Sequence, residues 1–390
     1  WTNAYDEAAF PAAIQSAAVG DEIWVKAGVY RPSTTNDASK SFVLKNGVAL
    51  YGGFAGTETS SADRNPAANL TVLTGDLTNN DNGKVNGVTV SADQIQGTNS
   101  ACVVTTNPGC GPTTVLDGFT VTAGDNTHDG GGMYTEDSPT VTNCAFSGNR
   151  TSDNGGGVCT YGSGSHAVIA DCAFSGNSAE VGGGMRNVKG SSPTVTNCVF
   201  SGNSATYEGG AMSNAENSAP VVTNCTFSGN ATHDDKGIGG GGMCNYDGSN
   251  PTVTNCVFSG NAAATDGGGV CNDSSAPTVT NCTFSGNSAV AGGGMCNYGG
   301  SSPVVTDCTF SGNTASTVGG GMNNKNSSPI MNGCMFSNNS ASSGGGMCNS
   351  VSGVPTVTNC TFSGNNAAGC GGGKGNSDGR RPAVTNNTSA

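Results

Sequence analysis

A short phrase that recurs through most of the chain is the sequence feature that most restricts its fold. Each copy places a cysteine two residues before a phenylalanine. The cysteines are 26 to 31 residues apart, at Cys144, Cys172, Cys198, Cys225, Cys256, Cys282, Cys308, Cys334 and Cys360. One unit reads Pro277-Thr-Val-Thr-Asn-Cys-Thr-Phe-Ser-Gly-Asn287, followed by Gly292-Gly-Gly-Met-Cys-Asn297. Units of this length bury an apolar face only by stacking on one another, so the repeat predicts a solenoid.

Comparison of equivalent positions predicts which side chains point inward. The residue after the glycine triplet is apolar in nearly every unit: Met133, Val158, Met185, Met212, Met243, Val270, Met295, Met322 and Met347. The next position varies, through Tyr134, Cys159, Arg186, Ser213 and Asn323, so we expect it to face solvent. The central residue of Thr-Val-Thr should point inward, and Cys and Phe, two apart, should share the inward face.

These patterns describe short strands of period two that are separated by turn residues. Stacking identical strands places Phe on Phe, Val on Val and Asn on Asn at about 4.8 Å. The sequence therefore predicts an all-β fold, a single parallel β-helix with three short strands per turn of about 26 residues. The Asn that ends each Phe-Ser-Gly-Asn block should hydrogen-bond to the turns above and below.

The first part of the chain is less regular. Asp6 to Ala18 has the pattern of a short amphipathic helix, with Phe10, Ile14 and Ala18 on one side, and we interpret it as a helical cap on the first turn. We predict strands in Glu22–Tyr30, Phe42–Tyr51, Leu70–Thr74, Val85–Val90 and Val115–Thr122. Residues 1–115 are thus predicted to form the cap and irregular first turns, and residues 116–390 the regular repeats of one continuous solenoid.

Charge and hydropathy exclude several classes of partner. The 14 basic and 27 acidic side chains give a net charge of −13. Nucleic acid and anionic membranes attract clustered Lys and Arg, so we predict neither as a partner. The chain has no apolar stretch long enough to span a membrane.

The motifs resemble those of a known family. The chain is similar to the bacterial right-handed parallel β-helix repeat proteins of the pectin-lyase-like superfamily. Gly209-Gly-Ala-Met212 and the Phe-Ser-Gly-Asn blocks resemble the paired repeats of polymorphic outer-membrane proteins. The segments Gly20–Pro32 and Tyr51–Glu58 are similar to the start of many secreted proteins with this fold. The resemblance implies a right-handed coil and a secreted or cell-surface location, and it implies no particular reaction.

The cysteines allow more than one interpretation. The nine repeat cysteines share the inward face with Phe, so we expect a ladder of reduced, buried thiols. Cys159, Cys244, Cys271, Cys296 and Cys348 are predicted to point outward, and three of them lie on consecutive turns, close enough to bridge in pairs. Cys102 and Cys110 flank a Pro-Gly turn and are the best candidates for a local disulfide. No zinc-ligand spacing occurs, so we predict no metal and no cofactor.

No catalytic group is predicted. The three histidines, His128, His166 and His233, belong to different turns, which argues against a nucleophile–base pair. Asp234, Asp235 and Lys236 form a charge cluster in the longest repeat, and we interpret it as a solvated bulge. The run Gly371–Lys374 replaces a Gly-Gly-Gly-Met of the repeat and is not a nucleotide-binding loop.

The leading hypothesis is an extracellular, non-enzymatic structural or adhesive protein, such as a subunit of a surface fibre or sheath. Its partners would be further copies of itself or surface and matrix glycans. The alternative is a polysaccharide-binding or polysaccharide-cleaving protein. A third hypothesis is ice binding by the outward threonine pairs, such as Thr278 and Thr280. The sequons at Asn69 and Asn326 are candidate glycosylation sites.

Overall fold

The structure is a computed structural model that describes residues 9–376, 383–385 and 388–389. These residues form an all-β parallel solenoid of about 13 turns with roughly 27 residues per turn. The predicted fold class is therefore confirmed. By compactness the chain divides into an N-terminal unit, Trp1–Asn187 with Ser191–Val199, and a C-terminal unit, Val188–Gly190 with Phe200–Ala390. The boundary expected near residue 115 concerns repeat regularity and stays a prediction.

Each turn contains three strands, which we name Val, Phe and Met strands after the residue that recurs at their centre or start. The Val strands of the N-terminal unit are Glu22–Lys26, Ala49–Phe54, Val115–Asp117, Thr140–Thr142, Val168–Ala170 and Thr194–Thr196. Its Phe strands are Gly28–Tyr30, Thr71–Thr74, Thr120–Thr122, Ala145–Ser147 and Ala173–Ser175. Its Met strands are Phe42–Leu44, Val104–Thr106, Met133–Thr135, Val158–Tyr161 and Met185–Val188. Short strands follow some Phe strands, at Asp125–Asn126, Arg150–Thr151 and Ser178–Val181.

The C-terminal unit repeats this arrangement. Its Val strands are Val221–Thr223, Thr252–Thr254, Thr278–Thr280, Val304–Thr306, Ile330–Asn332, Thr356–Thr358 and Ala383–Thr385. Its Phe strands are Val199–Ser201, Thr226–Ser228, Val257–Ser259, Thr283–Ser285, Thr309–Ser311, Met335–Ser337, Thr361–Ser363 and Thr388–Ser389. Its Met strands are Met212–Asn214, Met243–Asn245, Val270–Asp273, Met295–Tyr298, Met322–Lys325, Met347–Ser350 and Lys374–Asn376. Its short strands are Ser204–Glu208, Ala231–Thr232, Ser288–Ala291, Thr314–Val318, Ser340–Ala341 and Asn366–Ala367.

The helix predicted at the start of the chain is present but shorter than predicted. It spans Phe10–Ser16 and buries Phe10 and Ile14. The Phe10 ring lies 5.5 Å from the Phe42 ring, which belongs to the first Met strand. Ala18 follows the helix and is exposed, because the chain becomes extended at Ala17. Residues 6–8 of the predicted helix lie outside the described residues. None of the described helices is long and apolar enough to cross a membrane.

The irregular first turns contain two long segments between strands. One of them includes the 3-10 helix Ser61–Asp63, and the other includes the 3-10 helix Ala92–Gln94. The strand predicted at Val85–Val90 is wrong: Val85 and Val88 form only an isolated antiparallel bridge. Its apolar residues are separated by Asn and Gly with positive φ, which turn the chain back on itself instead of extending it.

Like side chains stack on like in the core of the C-terminal unit. Phe227, Phe258 and Phe284 pair in register on successive strands, and the column continues to Phe310, Phe336 and Phe362. Their ring planes are nearly parallel, and neighbouring centroids are 4.6–4.9 Å apart. This separation is the spacing of strands in a sheet and also suits offset ring stacking. The backbone therefore sets the geometry of the column.

The repeat cysteines form a second inward column, as predicted, and every one is buried. The backbone N–H of Cys256 donates to Sγ of Cys282, and that of Cys282 donates to Sγ of Cys308, both at 3.4 Å. The Cys282 thiol donates to the carbonyl of Thr280 at 3.2 Å. The Cys282 thiol thus joins a backbone donor of the preceding turn to a carbonyl of its own turn.

Asparagine amides form a third column, which confirms the expected amide stacking. Asn287 Nδ2 donates to Oδ1 of Asn313 and to the carbonyl of Phe258, both at 2.9 Å. Its own Oδ1 accepts from the backbone and side-chain nitrogens of Asn261 at 2.9 and 3.0 Å. Because a buried amide costs free energy unless it is fully bonded, this ladder is what permits Asn in the core.

Candidate binding surfaces

One chemically uniform surface lies on the C-terminal unit. We define the hydroxyl face as the first and third residues of each Val strand and each Phe strand between Val221 and Ser363. These residues point away from the core and are exposed or half-buried, whereas the central residues are buried. Most are Thr or Ser, the others are Val, Ile, Met and one Asn, and none is charged. The hydroxyl face is thus uncharged although the chain has a net charge of −13.

The first row of the hydroxyl face is only partly threonine. Its members, in register, are Val221, Thr252, Thr278, Val304, Ile330 and Thr356. The aliphatic members are well exposed, with 52% of Ile330 accessible. The turn column that joins the Val and Phe strands contains Asn224, Asn255, Asn281, Asp307, Gly333 and Asn359. Of these, Asp307 alone is charged. The threonine rows proposed for ice binding are therefore interrupted, and that hypothesis stays a prediction.

The residue after the inward Met is buried at each compared position except Tyr134, which is half-buried, so our expectation that this position faces solvent was wrong. Cys159, Cys244, Cys271, Cys296 and Cys348 are at most 2% exposed, and Arg186, Ser213 and Asn323 are buried as well. The reason is the glycine triplet, which folds back over the outer side of the Met strand. A Cβ on Gly292 would lie 2.7 Å from the Cβ of Cys296, and its φ of +62° already favours glycine. The glycine triplets were visible in the sequence, but the side chains that they cover can be identified only from the backbone structure.

A groove of about 730 Å³ lies on the N-terminal unit. One side is formed by the segment 61–70, which contains Arg64 and Pro66. The other side is formed by the turn residues Asn143, Asp171 and Asn197, which have φ near +50° and stack on successive turns. Asn197 Nδ2 donates to Asp171 Oδ1 at 3.1 Å. This groove could not be predicted from the sequence, because its wall is an irregular insertion.

An ion pair holds the wall of the groove in place. Arg64 Nη2 donates to Asp117 Oδ2 at 2.6 Å, and Nη1 donates to the carbonyls of Gly52 and Asp117. The guanidinium lies over the Tyr51 ring, 5.0 Å from its centroid. Asp117 Oδ1 also accepts from Asn143 Nδ2 at 2.9 Å. The Asp117 charge is thus neutralised, and the exposed groups that a ligand would meet are amides and the Asp171 carboxylate.

A buried acidic pair lies in the second long segment of the N-terminal unit. Asp76 accepts from Lys84 Nζ at 2.6 Å. Asp81 accepts from Thr89 Oγ1, the Gln96 backbone and the Asn99 amide. Burial, only partly offset by these hydrogen bonds, raises the pKa of the Asp81 carboxyl. Lys84 already supplies the cation here, so the arrangement is structural.

The structure brings none of the other polar candidates together. His128, His166 and His233 are all exposed and lie on different turns. Asp235 and Lys236 are also exposed and lie in the loop of the longest repeat. Within the described part of the chain, no group of three or more His, Cys, Asp or Glu side chains could hold a metal ion.

Lys374 occupies the position of Met in the last described Met strand, where it pairs with Met347. Its Nζ lies 4.4 Å from the centroid of the Phe362 ring. Burial lowers the pKa of this lysine. Lys374 is therefore a structural residue of the repeat, at the end of the Met column.

Cys102 and Cys110 lie on either side of the strand Val104–Thr106. The Cys102 thiol donates to the Val104 carbonyl at 3.1 Å, and the Cys110 thiol to the Leu44 carbonyl at 3.6 Å. Burial raises the pKa of Cys102 to about 12. Both are thiols in this structure, and their disulfide stays a prediction.

The two sequons differ in accessibility. Asn326 is exposed at a turn with a φ of +52°. Asn69 is half-buried, and its Nδ2 donates to the Gly53 carbonyl at 3.2 Å. Glycosylation of either residue stays a prediction, and Asn326 is the more accessible acceptor.

Comparison with known proteins gives one match. A family model described as a right-handed beta helix region matches residues 77–256 and 236–389. No curated protein matches the chain with significance. No solved structure does so either.

Proposed function

Since this chain belongs to the right-handed β-helix family, we propose that it is an exported, non-enzymatic structural or adhesive protein. In this proposal the hydroxyl face is the contact surface. The fold itself serves both enzymes and non-enzymes, so the argument depends on the surface and not on the fold.

The single observation that carries the proposal is the absence of charge from the hydroxyl face. Copies of a protein with a net charge of −13 repel one another, and the repulsion is weakest where two uncharged surfaces meet. Exposed Val221, Val304 and Ile330 add apolar area that is removed from water on contact. The flanking hydroxyls keep their hydrogen-bonding capacity towards a partner chain or a glycan. The partner is thus a second copy of the chain or a neutral glycan surface.

The test places two positive charges on the face. Thr252→Lys with Thr278→Lys changes neighbouring exposed positions of the first row. The matched control, Thr314→Lys with Ser316→Lys, adds the same charge to exposed positions of a short strand. Sedimentation of the full chain and its binding to immobilised neutral glycans would be measured. We expect the face variant to lose at least about tenfold in affinity, because the charges must be desolvated on contact, and the control to keep it. Equal losses in both variants, or no association by the unchanged chain, would contradict the proposal.

A second candidate function, polysaccharide binding, is supported by the groove. Its floor includes Ala145, Ala173 and Val199, and its rim carries the Asn143, Asp171 and Asn197 side chains. Apolar surface bordered by a few polar groups is typical of small-ligand and glycan sites. Asp171→Ala should therefore weaken binding to uronate or neutral oligosaccharides. Asp307→Ala changes the same turn position of the C-terminal unit and should leave binding unchanged. Equal binding by both variants would exclude the groove as the site.

A further inference from the structure

Three thiols lie one above another on the outer side of the C-terminal unit. Cys244, Cys271 and Cys296 pair in register on successive Met strands. Each is at most 1% exposed. We call these three residues the thiol column, which is separate from the inward cysteine ladder of the repeats.

The cover of the thiol column is a small cluster of side chains and one loop. Ile238, Tyr246 and Tyr298 pack against the three cysteines. The Ile238 carbonyl accepts from the Cys271 thiol and from the Tyr298 hydroxyl, both at 3.4 Å. Ile238 belongs to the loop of the longest repeat. That loop is held at its two ends by hydrogen bonds from the backbones of Asp234 and Gly239 to carbonyls of the preceding turn. The glycine triplets described above complete the cover, so the loop and the two tyrosine rings close only part of it.

The register suits disulfide formation between neighbours. Strands in a sheet are about 4.8 Å apart, which lies within the range of Cα separations in disulfides. Cys271 is the central member and lies within hydrogen-bonding reach of the Cys296 side chain. Burial raises the pKa of the Cys271 thiol, so it stays protonated while the cover is closed. Reaction of Cys271 with an oxidant therefore requires its cover to open.

We propose that the thiol column is a site of reversible oxidation, at which Cys271 and Cys296 form a disulfide with a low-molecular-weight disulfide as oxidant. The Cys271 thiolate attacks a molecule such as oxidised glutathione, forms a mixed disulfide and releases one glutathione thiol. Cys296 then attacks the Cys271 sulfur and releases the second. Two electrons and two protons pass from the protein thiols to the two glutathione molecules. Disulfides form and persist in the oxidising compartments that exported proteins enter, so this step rests on the exported location proposed above.

Other cysteines of the unit lack this combination of features. Cys348 occupies the equivalent position on its strand, but its neighbours in register are Asn323 and Gly375. The inward ladder points into the core beside the Phe column, where an oxidant has access only if the turns themselves unfold. The proposal concerns a different surface from the hydroxyl face and does not depend on it.

The experiment treats the full-length folded protein with oxidised glutathione, blocks remaining thiols after unfolding, and maps the peptides by mass. Exposed Cys370 should form a mixed disulfide first and shows that the oxidant is active. We then expect a Cys271–Cys296 cross-link, which dithiothreitol reverses. Cys244→Ser should retain this cross-link, whereas Cys271→Ser should abolish cross-linking within the column. Full protection of the column while Cys370 reacts, or a Cys244–Cys271 cross-link instead, would overturn the proposal.

The rate of cross-linking tests the role of the cover. Tyr298→Phe removes the hydroxyl that bonds the Ile238 carbonyl, so oxidation should become roughly two- to tenfold faster, as expected for loss of one hydrogen bond. Tyr161→Phe changes the last residue of the four-residue Met strand Val158–Tyr161, far from Ile238 in sequence, and should leave the rate unchanged. An unchanged rate in the Tyr298 variant would refute loop opening as the controlling step.

Discussion

The first turns of the N-terminal unit and the repeats of the C-terminal unit satisfy their buried polar groups in different ways. The C-terminal unit satisfies buried polar groups with columns in which every turn uses the same residue, as in Asn261, Asn287 and Asn313. The first turns satisfy them with individual partners, such as Arg64 for Asp117 and Lys84 for Asp76. This difference indicates where a specific binding site can arise in such a fold. A column constrains each turn to resemble the next, whereas individually paired side chains leave room for a groove.

The largest effect should follow from removing one ring of the Phe column. Phe284→Ala leaves a cavity between Phe258 and Phe310, and the free energy of unfolding should fall by about 3–5 kcal/mol. Urea denaturation followed by far-ultraviolet circular dichroism would measure it, with Thr278→Ala as the exposed control. A loss below 1 kcal/mol would show that the column is not the main source of stability.

The next effect should come from the amide ladder. Asn287→Ala leaves the Phe258 carbonyl and the Asn261 amide without their partners in the core, so a loss of about 3 kcal/mol is expected. Asn281→Gly removes one exposed amide contact, Asn281 Nδ2 to Asn255 Oδ1, at a φ of +51° that glycine adopts without strain, and should cost under about 1 kcal/mol. If the two variants lose equal stability, burial is not what makes the ladder important.

A smaller effect is expected in the first turns. Arg64→Met keeps much of the packing but leaves the nearly buried Asp117 carboxylate without its cation, at a cost of about 2 kcal/mol. Trp24 lies in the first Val strand of the N-terminal unit and its ring stacks on Phe54, so its fluorescence during denaturation reports on this unit. The transition seen by fluorescence should shift to lower urea. An unchanged fluorescence transition would show that the ion pair adds nothing to the stability of the groove wall.

The smallest effect is the pH dependence that Asp81 contributes in the first turns. Burial raises the pKa of Asp81 above its ordinary value of 3.8, so the folded state binds this proton more tightly than the unfolded state. Stability from this group is therefore complete below about pH 4 and is lost as the pH rises through the raised pKa. Asp81→Asn should flatten this part of the stability profile, because the amide does not titrate. A profile that is identical in the variant would refute the assignment.

The fold could be predicted because every repeat unit places the same types of residue at the same positions. The inward Met, Val, Cys and Phe positions followed from comparing copies, and period two gave their direction. The burial of Cys244 could not be predicted in this way, because the turn that covers it depends on the positive φ of a glycine and on close backbone contact. The groove was missed for a related reason, since the segment that contains Arg64 occurs once and has no second copy for comparison.

In the longest repeat Cys256 follows Cys225 at a spacing of 31 residues, yet Phe227 and Phe258 still pair in register. The additional residues form a loop outside the strands, and the stacking of core side chains on either side is unchanged. Insertions can therefore accumulate at this point during evolution without a compensating change elsewhere. Descendants of such a gene can diversify their exterior, or gain length by duplicating whole units, while inheriting the same interior.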